Sequence, residues 1–172
     1  MKAVGMISNQ EFRKFIDDHT GIIIKVCRIY TDTEDDFKDC FQEVTLQLWK
    51  SHGSFKGEAK WSTWVYRVAL NVCLLQLRSK KRRLKTEPIE QPAALNLHGG
   101  YTPVFEDAEE RIKILYSAIK KLRETDRAII LLYLEEKSYK EIAEIMGLTV
   151  TNVGVKVSRI KNQLKNLLDG RL

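Results

Sequence analysis

Between residues 12 and 30 the apolar and aromatic positions Phe12, Phe15, Ile16, His19, Ile23, Val26, Cys27 and Tyr30 recur every three or four residues. That period marks a long helix with one buried face. A turn is predicted from Thr31 to Thr33. Beyond it Phe37, Phe41, Val44, Leu48 and Trp49 keep the same spacing, and the outer face of this second helix carries Asp39, Gln42 and Glu43. Ser51, His52, Gly53, Ser54 and Gly57 then break the pattern with a polar loop. A third helix follows through Trp61, Trp64, Val65, Val68, Ala69, Val72 and Leu75 and runs into a basic tail from Arg78 to Lys85.

The pattern lapses after residue 86, where Pro88, Pro92, Gly99, Gly100 and Pro103 punctuate an irregular stretch. A flexible linker is therefore expected over 87–106, between a first unit at 1–86 and a second at 107–172. Helical spacing returns with Ala108, Ile112, Leu115, Ile119 and Leu122, and a short apolar helix over Ala128 to Leu134 is expected to begin near Thr125 or Asp126. Tyr139, Ile142, Ala143 and Met146 give a short helix one apolar face, Gly147 permits a sharp turn, and Leu148 fills the junction. Thr149 can cap a longer helix whose inward stripe is Val153, Val157, Ile160, Leu164 and Leu167. No segment alternates like a strand, so the chain reads as all-α: two small helical bundles, the second containing a helix-turn-helix.

In a helix-turn-helix the second helix lies in the major groove while the first braces it across the backbone. With its stripe turned inward, this helix presents Thr151, Asn152, Val155, Lys156 and Arg159 outward. Arg159 has the fork to read guanine or hold phosphate, Asn152 can pair with adenine, and Val155 can touch a thymine methyl. Gly154, a weak helix former, suggests a close backbone approach. An ordinary helix pair with solubilising lysines is the competing reading.

Charge sharpens the picture in the first bundle. The chain has 172 residues and a formal net charge of +6, a balance that favours anionic partners without naming one. Its distribution says more. Asp32, Glu34, Asp35, Asp36, Asp39 and Glu43 crowd one stretch, whereas 59–86 contain no acid and gather Lys60, Arg67, Arg78, Lys80, Lys81, Arg82, Arg83 and Lys85.

Cys27, Cys40 and Cys73 lack CxxC spacing, fall among apolar residues, and read as buried thiols in a reducing cytoplasm. The three histidines have no ligand-like spacing, so neither a metal nor another cofactor is expected. No Gly-rich phosphate loop, HExxH or Ser/His/Asp grouping is present, which argues against an enzyme. No apolar run is long enough to span a bilayer and the first residues lack a signal-peptide core, so a cytoplasmic protein is expected.

Taken together, these segments resemble the extracytoplasmic-function (ECF) group of bacterial sigma factors over nearly the whole chain. DFKDCFQEVTLQLWKSHGSF, residues 36–55, is similar to the family's helix that docks on the clamp coiled coil of RNA polymerase, and the resemblance assigns Asp39, Gln42 and Glu43 to core binding. WSTWVYRVALNVCLLQLRSKKRR, residues 61–83, resembles the helix that recognises and opens the minus-ten element. It implies DNA contacts at Arg67, Asn71, Arg78 and Arg82, with Lys56 and Lys60 lining a pocket for an extruded base. Trp61 and Trp64 also fit the apolar stripe, and Trp64 at least is expected in the core. The segment from Leu122 to Leu164 resembles the minus-thirty-five domain, with Thr151, Asn152, Val155, Lys156 and Arg159 facing DNA. It departs from many members at Arg123, where they carry proline, and at Gly154 and Val155, where they carry a basic-Ser pair. The resemblance implies core RNA polymerase and promoter DNA as partners, an anti-sigma protein as regulator, and a monomer when free. The alternatives are a helix-turn-helix repressor or activator acting without polymerase, which leaves the acidic and basic helices of the first bundle without a role, and a protein-binding adaptor.

Overall fold

The computed structural model describes residues 8–86 and 106–169. These fall into two compact helical units, 8–86 and 106–169, and no strand occurs among the described residues. The linker expected over 87–106 lies, but for Glu106, outside the described residues.

The first unit packs three helices, α1 (Asn9–Tyr30), α2 (Glu34–Ser51) and α3 (Trp61–Thr86), each against the other two. Ser8 and Glu11 form a reciprocal capping box at the start of α1: the Glu11 amide donates to Ser8 Oγ at 3.2 Å and the Ser8 amide donates to Glu11 Oε2 at 2.9 Å. Thr33 caps α2 by accepting from the Asp36 amide at 3.0 Å. Such caps satisfy amides that have no partner within the helix and contribute about 1 kcal/mol each. The core is built from Ile23, Val26, Cys27, Ile29, Cys40, Val44, Leu48, Val65, Tyr66, Ala69 and Cys73. Leu75, expected on the apolar stripe of α3, is 62% exposed. The buried side of α3 is centred on Ala69 and Cys73, and Leu75 is rotated about 120° from the residue 69 direction.

The second unit contains α4 (Glu106–Lys120), α5 (Glu124–Leu134), α6 (Tyr139–Met146) and α7 (Val150–Leu168). Helix α5 starts one or two residues earlier than expected, with Arg123 in the N-cap position at φ −61° and ψ 150°. That φ is one proline also adopts, so arginine and proline are both compatible with this corner. Among the residues of α4 whose burial is described, Ala118 and Ile119 are sunk into the core, with the adjoining Leu122; Ile112, expected on the stripe, is exposed. Ser138 and Glu141 form a second capping box. Gly147 ends α6 at φ 66° and ψ 37°, the left-handed conformation that a side chain disfavours. Thr149 then caps α7 by accepting from the Asn152 amide at 3.2 Å. Of the expected stripe, Val153, Val157, Ile160 and Leu164 are buried and Leu167, near the end of the helix, is half-buried. No described helix is long and apolar enough to cross a membrane.

Candidate nucleic-acid interface

Two surfaces belong to the first unit. On α2, Cys40, Val44 and Leu48 anchor the helix from behind, leaving Asp39, Gln42 and Glu43 all exposed. Their i, i+3, i+4 spacing puts two carboxylates and an amide on one rigid face. Leu46, one turn beyond Gln42 and Glu43, extends that face as an exposed apolar residue. Periodicity did not single it out, because a leucine between Val44 and Leu48 looks like core. Asp36 turns elsewhere: Lys80 Nζ of α3 approaches its carboxylate at 2.7 Å, and that hydrogen bond holds the carboxyl below its usual range.

Between α2 and α3 the chain makes a short 3₁₀ turn at His52–Ser54 and passes through Gly57 at φ 73°. Trp61 stacks with Phe55 at 3.8 Å and with His52 at 4.8 Å, and Phe15 meets it edge-on at 5.1 Å. Trp64 is half-buried and joins the same aromatic cluster. The cluster stiffens the loop, so Lys56 and Lys60, both exposed, project from a fixed framework. Along α3, Arg67, Asn71, Arg78 and Arg82 fall within one angular sector opposite the Ala69 side; Arg67 is half-buried and the other three are exposed. A row of guanidinium groups with an interspersed amide suits an opened strand, whose phosphates and unstacked bases are both accessible.

In the second unit Thr151, Asn152, Val155 and Arg159 stand exposed on the outer face of α7, with Val155 at 66%. Lys156 is half-buried at the flank. Lys156 Nζ and Arg159 Nη2 each lie 3.4 Å from a carboxylate oxygen of Asp126, which is 2% exposed on α5. Asp126 was not among the expected site residues, since its partners lie two helices downstream and no spacing rule links them. The close backbone approach suggested for Gly154 is not required by the fold: a Cβ there meets the Tyr139 ring at 3.5 and 3.7 Å, ordinary contact. Tyr139, expected on the buried face of α6, is 40% exposed and lies over this position instead.

The three cysteines also come together. Cys27 of α1, Cys40 of α2 and Cys73 of α3 bring all their sulfurs within 4.8 Å of one another, a convergence hidden in sequence because each comes from a different helix.

Both units match known families. Residues 15–83 match the model of sigma-70 region 2, and residues 112–164 that of sigma-70 region 4. The chain is 32% identical over 142 residues to the ECF RNA polymerase sigma-E factor of Haemophilus influenzae, covering 78% of this chain and 75% of the relative. It is 30% identical over 139 residues to the protein of the same description in Escherichia coli, covering 76% of this chain and 73% of that one. Among solved structures, the sigma factor RpoE in complex with the anti-sigma factor NepR from Bartonella quintana shares the fold at a TM-score of 0.71 and 20% identity, over 95% of this chain and 99% of that one. CnrH in complex with the cytosolic domain of CnrY aligns at a TM-score of 0.67 and 20% identity, over 96% of this chain and 92% of that one.

Proposed function

Because the chain belongs to the ECF group of RNA polymerase sigma factors, we propose a division of labour between its two units within the activity that membership carries. It binds core RNA polymerase, directs it to specific promoters and helps open the DNA there. Members of this family are non-catalytic initiation factors; the polymerase performs the phosphoryl transfer.

In our reading residues 1–86 act as region 2 and residues 107–172 as region 4, with 87–106 as the linker. Asp39, Gln42 and Glu43 meet the polymerase, where an exposed acidic and amide face sets register on a basic partner helix. Lys56, Lys60, Arg67, Asn71, Arg78 and Arg82 hold the opened minus-ten element. Thr151, Asn152, Val155, Lys156 and Arg159 engage the minus-thirty-five duplex. Tethering the two DNA-binding surfaces turns the second contact into an intramolecular event, so two weak contacts suffice. The observation that carries this reading is the coexistence, in one chain, of a rigid exposed Asp39/Gln42/Glu43 face and a capped helix-turn-helix with a solvent-facing outer side. A repressor needs only the second. One solved structure of the same fold holds an anti-sigma factor and another a cytosolic partner domain, which supports an anti-sigma partner for this chain as well. Its site of action in this reading is the cytoplasm.

The test is run-off transcription from fragmented genomic DNA of the source bacterium, with sigma-free core polymerase. Discrete transcripts that require the protein and disappear with Asp39→Ala/Gln42→Ala are expected. Absence of transcripts, together with tight binding of the free protein to a palindromic duplex, would overturn the assignment of Asp39 and Gln42 and favour a repressor.

A further inference from the structure

Cys27, Cys40 and Cys73 are 0%, 1% and 1% exposed and unbonded to one another covalently. Cys40 Sγ and Cys73 Sγ are 3.0 Å apart, and all three sulfurs lie within 4.8 Å of one another. Apolar packing explains why these positions are small and buried; it does not require three side chains from three helices to turn their sulfurs to one point. No histidine or carboxylate joins the group among the described residues.

We propose that this cluster is a binding site for a trivalent thiophilic ion of the arsenite type, taken by three thiolates and no other ligand. Three sulfurs held about 2.3 Å from a common ion that carries a lone pair form a shallow pyramid with about 3.4 Å between them, a separation lying between the 3.0 Å pair and the 4.8 Å limit. Two arguments select the charge and coordination number. Structural zinc takes four ligands, and at this depth neither a fourth side chain nor solvent is at hand. Three thiolates around a divalent ion leave one uncompensated negative charge in the core, and around a monovalent copper ion two. Excess charge at this depth, among apolar side chains, is costly. A trivalent ion gives a neutral complex.

Loading is ligand exchange without redox change: As(OH)₃ and three thiols give the tris-thiolate and three waters. Each As–O bond is replaced by an As–S bond, and each thiol proton leaves with a hydroxide. The ion joins α1, α2 and α3 at a point adjacent in sequence to Asp39.

The experiment titrates the full, reduced chain with sodium arsenite under anaerobic conditions, read by native mass spectrometry, sulfur-to-arsenic absorption and thermal unfolding. One arsenic per chain, an absorption band that saturates at one equivalent and a raised unfolding temperature of the first unit are expected. Cys27→Ser, Cys40→Ser and Cys73→Ser should each lose the one-to-one complex; Cys27→Val and Cys73→Ala, kept apolar and verified helical by circular dichroism, separate that loss from misfolding. Binding that persists in a folded single-cysteine variant, binding by wild type only in denaturant, or displacement of arsenite by equimolar zinc would each overturn the proposal.

Discussion

Arg159 of α7 and Asp126 of α5 are joined at 3.4 Å, with the carboxylate almost wholly buried and the arginine side chain 58% exposed. Lys156 shares the same carboxylate from a position only 25% exposed. The acid is therefore the fixed member, and it holds two cations at the margin of the proposed recognition face. Because only the acid is deep, its removal and theirs are unequal. Asp126→Asn frees two cations that can reach water. Lys156→Ala/Arg159→Ala strands a buried carboxylate, a loss on the order of 3 kcal/mol. Hydrogen exchange of α5 and α7 amides should show the double variant opening far more readily; equal protection would mean that the carboxylate is solvated by other means.

The same geometry bears on promoter choice. Asp126 restrains Arg159 and also repels phosphate, so Asp126→Asn should bind DNA more tightly overall while discriminating less between promoters. Arg159→Ala should lose about 1 to 3 kcal/mol on promoters with the matching base and little on those without it. Binding of holoenzyme to a panel of single-base promoter variants checks both. A uniform loss across the panel for Arg159→Ala would make it a phosphate contact.

Leu46 is exposed beside Gln42 and Glu43, with the partly exposed Trp49 one turn further along the same face. An apolar side chain left there by the fold suits the centre of an interface ringed by polar groups. Leu46→Ala should weaken binding to core polymerase by about 1 kcal/mol or more with no change in thermal unfolding. Titration of labelled protein with core enzyme measures this, with Lys14→Ala on α1 as a surface control. If the two substitutions behave alike, Leu46 lies outside the contact.

What the sequence made legible follows from range. The stripe of α7, its cap at Thr149, and the exposed trio on α2 depend on residues within two turns of one another, so spacing reports them. Leu75, Ile112 and Tyr139 fit a helical period and yet are exposed, because periodicity tells which residues share a sector and not how far a neighbouring helix covers it. Trp61 fits the apolar stripe of α3; only the structure shows its stacking with Phe55 and His52. The Asp126 pairs and the cysteine cluster depend on contacts between different helices, which no local pattern encodes.

Gly154 stands inside α7, where a glycine costs about 1 kcal/mol relative to alanine. Its missing Cβ would touch the Tyr139 ring at 3.5 Å without overlap. Gly154→Ala should therefore raise the unfolding midpoint of the second unit by a few degrees. If stability rises and promoter binding holds, the glycine serves neither packing nor DNA approach. A stabilised variant that binds promoter poorly would locate the DNA backbone against this position.

Burial among aromatic rings lowers the pKa of His52 from its ordinary 6.5. Phe15 lies 5.2 Å from it and Trp61 4.8 Å. The unfolded chain takes up a proton near 6.5, whereas the folded chain resists it until the pH is lower. Between those two values the unfolded state binds more protons, so stability falls as pH drops below about 6.5 and levels off once the folded histidine also titrates. Asp36 acts in a separate window. Lys80 lowers its pKa from 3.8, so its contribution is lost only in stronger acid. Urea unfolding followed by tryptophan fluorescence at about pH 7.5 and about pH 5.5 should show a lower midpoint at the acid value. His52→Phe should reduce that difference. An unchanged difference in His52→Phe would place the proton uptake elsewhere in the chain.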